Sequence, residues 1–192
     1  MNRRGYRFAA AALALWFTIP LAAQTGAIDP LHSFFTVRVF KAGLFSAFGH
    51  EHEVRAPLTE GAIHESGAPS VELRVDARRL TVLDPNRPEK ERAEVQETML
   101  GPTVLDSSRF PEIRFRSTAV EKKGADHWQV RGELTLHGQT RPVLVDVVCE
   151  GGRYRGSAML KQTDFGITPV RVGGGTVKVK DEVRVEFEIA VR

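Results

Sequence analysis

A chain of 192 residues, 42% hydrophobic and 27% charged, is long enough to bury one core without a metal or disulfide staple. Its single cysteine, Cys149, excludes an internal disulfide, and its register with Val143, Val145 and Val147 makes it a small buried apolar residue. The formal charge of +3 arises from 27 basic against 24 acidic residues. No Lys/Arg block of the kind that grips a nucleic-acid backbone is present, so nucleic acid is not an expected partner.

At the N-terminus, Arg3, Arg4 and Arg7 precede the apolar run Phe8 to Ile19, and Pro20-Leu21-Ala22-Ala23 follows with small residues. This order of positive, apolar and small residues reads as a secretory signal peptide over residues 1–23, cleaved near Ala23, with one mature domain over 24–192. The apolar run is short for a hydrocarbon core of ~30 Å, so no membrane span is expected after cleavage. Loss of the three arginines leaves 24 basic against 24 acidic residues, so the basic character belongs to the leader.

The first strand signal runs from Phe34 to Phe40, with Phe35, Val37 and Val39 on one face and Thr36 and Arg38 on the other. An aromatic loop containing Phe48 follows between Gly43 and Gly49 and is expected to lip a binding site. Val54 to Ile63 reads as a weaker strand broken by Pro57 and Gly61. Leu73 and Val75 mark the next buried face. Between Leu83 and Arg109 the period changes: Pro88-Glu89 opens a charged helix, Gly101-Pro102 ends it, and Val95 with Met99 forms its narrow apolar stripe. Such a helix suits the end of a barrel or the side of a sheet.

Strand grammar then resumes. Ile113 and Phe115 alternate with Arg114 and Arg116. Leu134 and Leu136, then Val143 and Val145, flank His137-Gly138-Gln139-Thr140 as a hairpin. Ala158 and Leu160 follow in one strand, and Val183, Val185, Phe187 and Ile189 close the chain. About eight long, mostly sequential strands with one inserted helical segment predict an all-β fold, an antiparallel barrel in preference to a sandwich. Alternation turns inward Phe35, Val37, Val39, Leu73, Val75, Ile113, Phe115, Leu134, Leu136, Val143, Val145, Ala158, Leu160 and Val185. With Phe48, these are the expected lining of a lumen. Gly132, Gly156 and Ala158 among the inward residues leave space beside the large ones, and eight strands suffice to hold one small ligand.

His50 and His52 are two apart, so on an extended segment both imidazoles point the same way, with Glu51 or Glu53 able to add an oxygen. A solvated loop is the plainer reading, and a metal-binding protein or metal-dependent enzyme at His50 and His52 is the alternative. His32 and His137 each stand beside a turn signal and are expected to stabilise turns. Asp164-Phe165-Gly166 reads as a turn and Gly173-Gly174-Gly175 as a connection. No nucleophile, base and orienter combine, so no enzyme activity and no cofactor are expected.

Six segments in order, Ile28-Asp29-Pro30-Leu31-His32-Ser33, Val71-Glu72-Leu73-Arg74-Val75-Asp76-Ala77, Phe110-Pro111-Glu112-Ile113-Arg114-Phe115-Arg116-Ser117, Leu134-Thr135-Leu136-His137-Gly138, Asp164-Phe165-Gly166-Ile167 and Asp181-Glu182-Val183, resemble the YceI-like family over nearly the whole mature chain. The resemblance implies an extended, eight-stranded, lipocalin-like antiparallel β-barrel in the periplasm of Gram-negative bacteria. It further implies a lumen that holds a polyisoprenoid, an isoprenoid quinone or a similar long amphiphile. The segment Ala47 to Glu53 departs from the basic, glycine-containing stretch that relatives carry there. Three readings result: an exported non-enzymatic carrier of a long-chain apolar ligand, with a homodimer left open; a metal protein at His50 and His52; or a structural or interaction β-domain with a packed core.

Overall fold

The computed structural model describes residues 25–42, 52–65, 67–172 and 177–191. The leader expected over 1–23, the loop with Phe48 and His50, and Gly173-Gly174-Gly175 lie outside them.

The described residues form strands β1 (Thr25–Ala42), β2 (His52–Pro57), β3 (Glu60–His64), β4 (Ser70–Asp76), β5 (Thr81–Val82), β6 (Glu112–Lys122), β7 (His127–Leu136), β8 (Gln139–Glu150), β9 (Arg153–Lys161), β10 (Arg171–Val172) and β11 (Val177–Val191), with helix α1 at Glu89–Leu100. Eight strands make a closed ring of antiparallel neighbours, β1-β3-β4-β6-β7-β8-β9-β11, and β11 pairs back onto β1. Closure removes the free edges an open sheet would present. The three remaining strands are short additions: β2 extends the wall beside β1, β5 pairs with β2, and β10 pairs with β11.

Strand β1 is long enough to serve two partners on one side. Thr25 to Ala27 pair with β3, and Phe34 to Val39 pair with β2. The predicted weak strand is therefore two strands, interrupted at Leu58 and Thr59, where Leu58 turns into the core at 2% exposure. On the other side β1 pairs with β11, with a register shift between Asp29 and Phe34. Polar groups hold this irregularity. His32 Nδ1 lies 2.9 Å from Asp29 Oδ2, the Ser33 hydroxyl donates to the Asp29 carbonyl at 2.6 Å, and the Ala190 N–H donates to Ser33 Oγ at 3.0 Å.

Inward parity is common to neighbouring strands. Phe35 stands opposite Phe187, which stands opposite Gly156, and Val37, Val185 and Ala158 repeat the row one step along. Strand registers then define two ends. His64, Trp128, Cys149, Tyr154 and Ile189 stand towards one; Val39, Val75, Ile113, Leu136 and Leu160 stand towards the other.

The second end is plugged by the segment that joins β4 to β6. A 3-10 turn at Ala77–Arg79, β5 and α1 lie there, and Leu80, Val82 and Leu105 are buried with Phe165 and Ile167 in one core. Helix α1 adds only half-buried Val95, Met99 and Leu100, as its narrow stripe predicts. It is fastened instead by Gln96, which donates to the Leu80 carbonyl and accepts from the Val82 N–H, each at 2.7 Å. That side-chain amide satisfies one backbone group of β5 and the carbonyl of the residue just before it.

The β7–β8 hairpin turns on His137 and Gly138, with φ of 51° and 71°. Both central residues in the left-handed region define a type I′ turn, whose twist matches the strands it joins. His137 stays in this conformation because its Nδ1 is 3.1 Å from the Phe165 carbonyl and its ring packs edge-on against Phe110 at 4.7 Å. The histidine thus ties the hairpin to the plugged end, the turn-stabilising role expected of it.

Candidate functional site

Between the plug and the opposite end, the barrel encloses a cavity of about 140 Å³. Its wall contains Phe35, Leu73, Phe115, Leu134, Val143, Val145, Ala158, Leu160 and Val185, nine of the residues that alternation turns inward. Val37, Val75, Ile113 and Leu136 also face inward but pack in the core rather than border the cavity. Val39 shares their register and likewise does not border it. The cavity is therefore shorter than the inward face of the barrel, and these five residues lie outside its wall.

Two phenylalanines decide how much of that lumen is open. The Phe115 ring lies over Gly132 of the neighbouring strand, and the Phe187 ring lies over Gly156. With no Cβ on the glycine, each ring can approach the neighbouring strand this closely, and both rings border the cavity. Phe35 meets Phe187 at a ring separation of 6.2 Å, tilted by 52°.

The wall also includes Ile63, Val71, Val120, Val130, Val147 and Ile189, and ends in His64, Glu65, Pro69, Trp128 and Tyr154. None of these stood among the sequence-expected site residues. Trp128 and Tyr154 lie on the predicted inward parity of their strands, so period-two alternation carried the signal. Glu65 and Pro69 belong to the β3–β4 connection, where no period exists.

This end carries the cavity's polar chemistry. The Tyr154 hydroxyl donates to Glu65 Oε1, and the Trp128 ring packs edge-on against Tyr154 at 5.8 Å. Lys122 places its ammonium 5.5 Å from the Trp128 ring centre. Burial, with the Glu65 carboxylate beside it, pushes the Tyr154 phenol well above its ordinary value of 10. Cys149 is directly across from Tyr154 and is half-buried, more open than the fully buried residue expected from its register.

His52 faces inward at the opposite end, where its Nδ1 lies 2.5 Å from Asp84 Oδ2. Asp84, with a side chain only 2% exposed, also accepts from the Glu53 N–H at 2.9 Å and lies 3.4 Å from Arg87. This cluster joins the start of β2 to the segment leading into α1. His50 is outside the described residues, and among the described residues no three His, Cys, Asp or Glu side chains gather as a metal site.

The profile of the YceI-like domain matches residues 27–191. A UPF0312 protein of Vibrio cholerae is 32% identical over 129 residues, a match that spans 62% of each chain, about three fifths of that relative's length. A UPF0312 protein of Pseudomonas syringae pv. tomato is 35% identical over 94 residues, covering 44% of this chain and 47% of its own. Among solved structures, Burkholderia cenocepacia BcnA superposes with a TM-score of 0.56 at 19% identity, covering 84% of this chain and 98% of its own. A polyisoprenoid binding domain from Saccharophagus degradans, implicated in plant cell wall breakdown, superposes with a TM-score of 0.55 at 13% identity over 87% and 97%. With its closed antiparallel ring, inserted helix and a profile match over nearly all described residues, this chain belongs to the YceI-like family.

Proposed function

We propose that the protein is an exported, non-enzymatic carrier that takes the apolar tail of a long-chain amphiphile, such as a polyprenyl lipid or isoprenoid quinone, into the barrel. The observation that carries this reading is the cavity itself: a wall of aliphatic and aromatic side chains with polar groups confined to one end. A packed structural domain would fill the space that these side chains border, where the small Ala158 is part of the wall. The shared fold of the polyisoprenoid binding domain from Saccharophagus degradans supports the same ligand class, and the leader-like residues 1–23 support export.

Apolar transfer supplies the affinity. Each buried CH₂ is worth roughly 0.8 kcal/mol gross, partly offset by the ordering of a flexible tail. A cavity of about 140 Å³ is of the size that admits a benzene-scale group. It therefore seats the leading isoprene units, and a longer tail requires wall side chains to move.

Native mass spectrometry and organic extraction of protein purified without detergent test the reading. A co-purifying isoprenoid or similar long-chain molecule is expected, and delipidated protein should take up prenyl alcohols, quinols or quinones. Protein that repeatedly carries no such molecule and takes up none after incubation overturns it.

A further inference from the structure

The cavity's polar end has a donor and acceptor pattern that the carrier reading does not use. Glu65 follows β3 and Tyr154 lies in β9, so the wall brings together two residues from opposite parts of the chain. The single proton of the Tyr154 hydroxyl is directed at Glu65 Oε1. What remains on the pair is a second carboxylate oxygen and the phenolic oxygen's lone pairs, which are acceptors only. Trp128 packs edge-on against the Tyr154 ring and fixes its direction. Burial and the neighbouring carboxylate hold the phenol proton in place across the working pH range.

We infer that Glu65 and Tyr154 form the head-group subsite of this cavity and select amphiphiles whose head carries an O–H or N–H donor, such as a prenyl alcohol, a quinol or an ammonium. At this pair an acceptor-only head, whether an ether, a quinone carbonyl or an ionised acid, meets acceptors and must take the tyrosine proton away from a carboxylate. A hydrogen bond given to a charged acceptor is about twice as strong as one between neutral groups, so that exchange is unfavourable. An anionic head adds repulsion from Glu65. Lys122 is not part of the cavity wall, and its ammonium lies 5.5 Å from the centre of the Trp128 ring.

The inference rests on the carrier reading, and one panel separates the two. Farnesol, farnesyl methyl ether and farnesoic acid share a tail and differ in the head. Dissociation constants for the purified protein are measured by equilibrium dialysis at pH 7. Farnesol is expected to bind about tenfold more tightly than the ether and still more tightly than the acid. Glu65→Gln, which puts an amide donor in place of one acceptor, should bring alcohol and ether within about threefold and relieve the penalty on the acid. Glu65→Ala should lower alcohol affinity towards that of the ether. The ring nitrogens of His64 and Trp128 stand at the same end, which is why ratios are compared across substitutions that leave both in place.

Equal binding of the three heads by the parent protein, or an unchanged ratio in Glu65→Gln protein that retains its thermal midpoint, overturns the head-group inference and leaves the carrier reading standing. Binding of none of the three by delipidated protein overturns both.

Discussion

The Phe115 ring lies so close to Gly132 that a Cβ on the glycine would stand 2.3 Å from Phe115 Cζ and 2.6 Å from the Arg116 carbonyl oxygen. Gly156 repeats the arrangement, with a Cβ position 2.6 Å from Phe187 Cζ and 2.5 Å from the Asp146 carbonyl oxygen. Strand glycines usually cost stability through lost packing, but an aromatic ring laid across one recovers that contact. Here the two rings so placed also form part of the cavity wall.

Gly132→Ala should therefore do two things at once. The methyl group forces the Phe115 ring off the wall, an overpacking strain of about 1–3 kcal/mol, and drives it into the space where a tail would lie. Urea unfolding should show the loss of stability, and farnesol affinity should fall by about tenfold or more. The double variant Gly132→Ala/Phe115→Leu should regain binding but not all of the stability, since a shorter side chain clears the lumen while the methyl still meets the Arg116 carbonyl oxygen. Farnesol binding by Gly132→Ala protein equal to the parent's would refute the ring placement.

Gly138 is the second backbone position where a substitution has a defined cost. Its φ of 71° is left-handed, and a Cβ there would stand 2.7 Å from Phe110 Cε1. Left-handed backbone alone costs an L-residue about 1–2 kcal/mol, and the contact with Phe110 adds to it. Gly138→Ala should lose about 2–3 kcal/mol by urea denaturation, whereas Gly67→Ala, with a φ of 75° and nothing within 4 Å, should lose only the backbone part, about 1 kcal/mol. Equal losses would show that Phe110 yields without cost.

The difference between these two glycines also marks how far the sequence could be read. The β7–β8 hairpin was legible because both strands alternate and His137-Gly138 is a turn signal; even the turn-stabilising role of His137 followed. Nine residues of the cavity wall were legible as inward-facing for the same reason. What alternation cannot state is height along the barrel, since strand stagger alone decides that Leu160 stands at the cavity while Val39, two strands away and facing it through Val183, does not border it. Nor can it locate Glu65, which lies beyond the last paired residue of β3 and gains its place by meeting Tyr154 across 89 residues. The His52–Asp84 pair is equally silent in sequence: His52 carried a metal alternative because the partner 32 residues away was invisible.

Acid sensitivity follows from carboxylates held on the outer wall. Hydrogen bonds from Arg155 lower the Glu188 carboxyl below its ordinary 4.5, and those from the Thr163 hydroxyl and N–H lower Asp181 below 3.8. A carboxyl more acidic in the folded chain favours folding where it is ionised, so the contribution is present above the ordinary value and lost as pH falls through the folded one. Urea midpoints should be level from about pH 7 to 5 and decline below about pH 4. Asp181→Asn and Glu188→Gln should each make that decline shallower. Burial and Glu65 raise the Tyr154 phenol, so its contribution has the opposite sense: it is present below pH 10 and lost above it. Tyr154→Phe should flatten the alkaline limb, and a parent-like decline above pH 10 in that variant would count against the buried hydroxyl.

Asp84 is the residue on which the plugged end depends most. Its side chain is 2% exposed and receives the Glu53 N–H at 2.9 Å, with His52 Nδ1 at 2.5 Å and Arg87 Nε at 3.4 Å. Asp84→Ala takes that acceptor from the Glu53 N–H and His52 and leaves Arg87 with Glu91 alone, 3.1 Å from its Nη1, a loss of about 3–5 kcal/mol when a buried partner is removed from its counter-charge. Asp84→Asn keeps one carbonyl oxygen for Glu53 but turns an amide towards His52 and Arg87, so it should fall between Asp84→Ala and the parent. The half-exposed Arg155–Glu188 pair on the outer wall sets the contrast, because Arg155→Ala should cost less than about 1 kcal/mol at pH 7. The cavity's polar end lies at the other end of the barrel, so the preference among farnesol, its methyl ether and farnesoic acid should persist in Asp84→Asn protein at temperatures where it stays folded. Urea denaturation of all three variants at pH 7 decides the ranking. An Asp84→Ala loss no larger than that of Arg155→Ala would mean that His52, Glu53 and Arg87 find water or other partners, and that the plug is held by its apolar contacts alone.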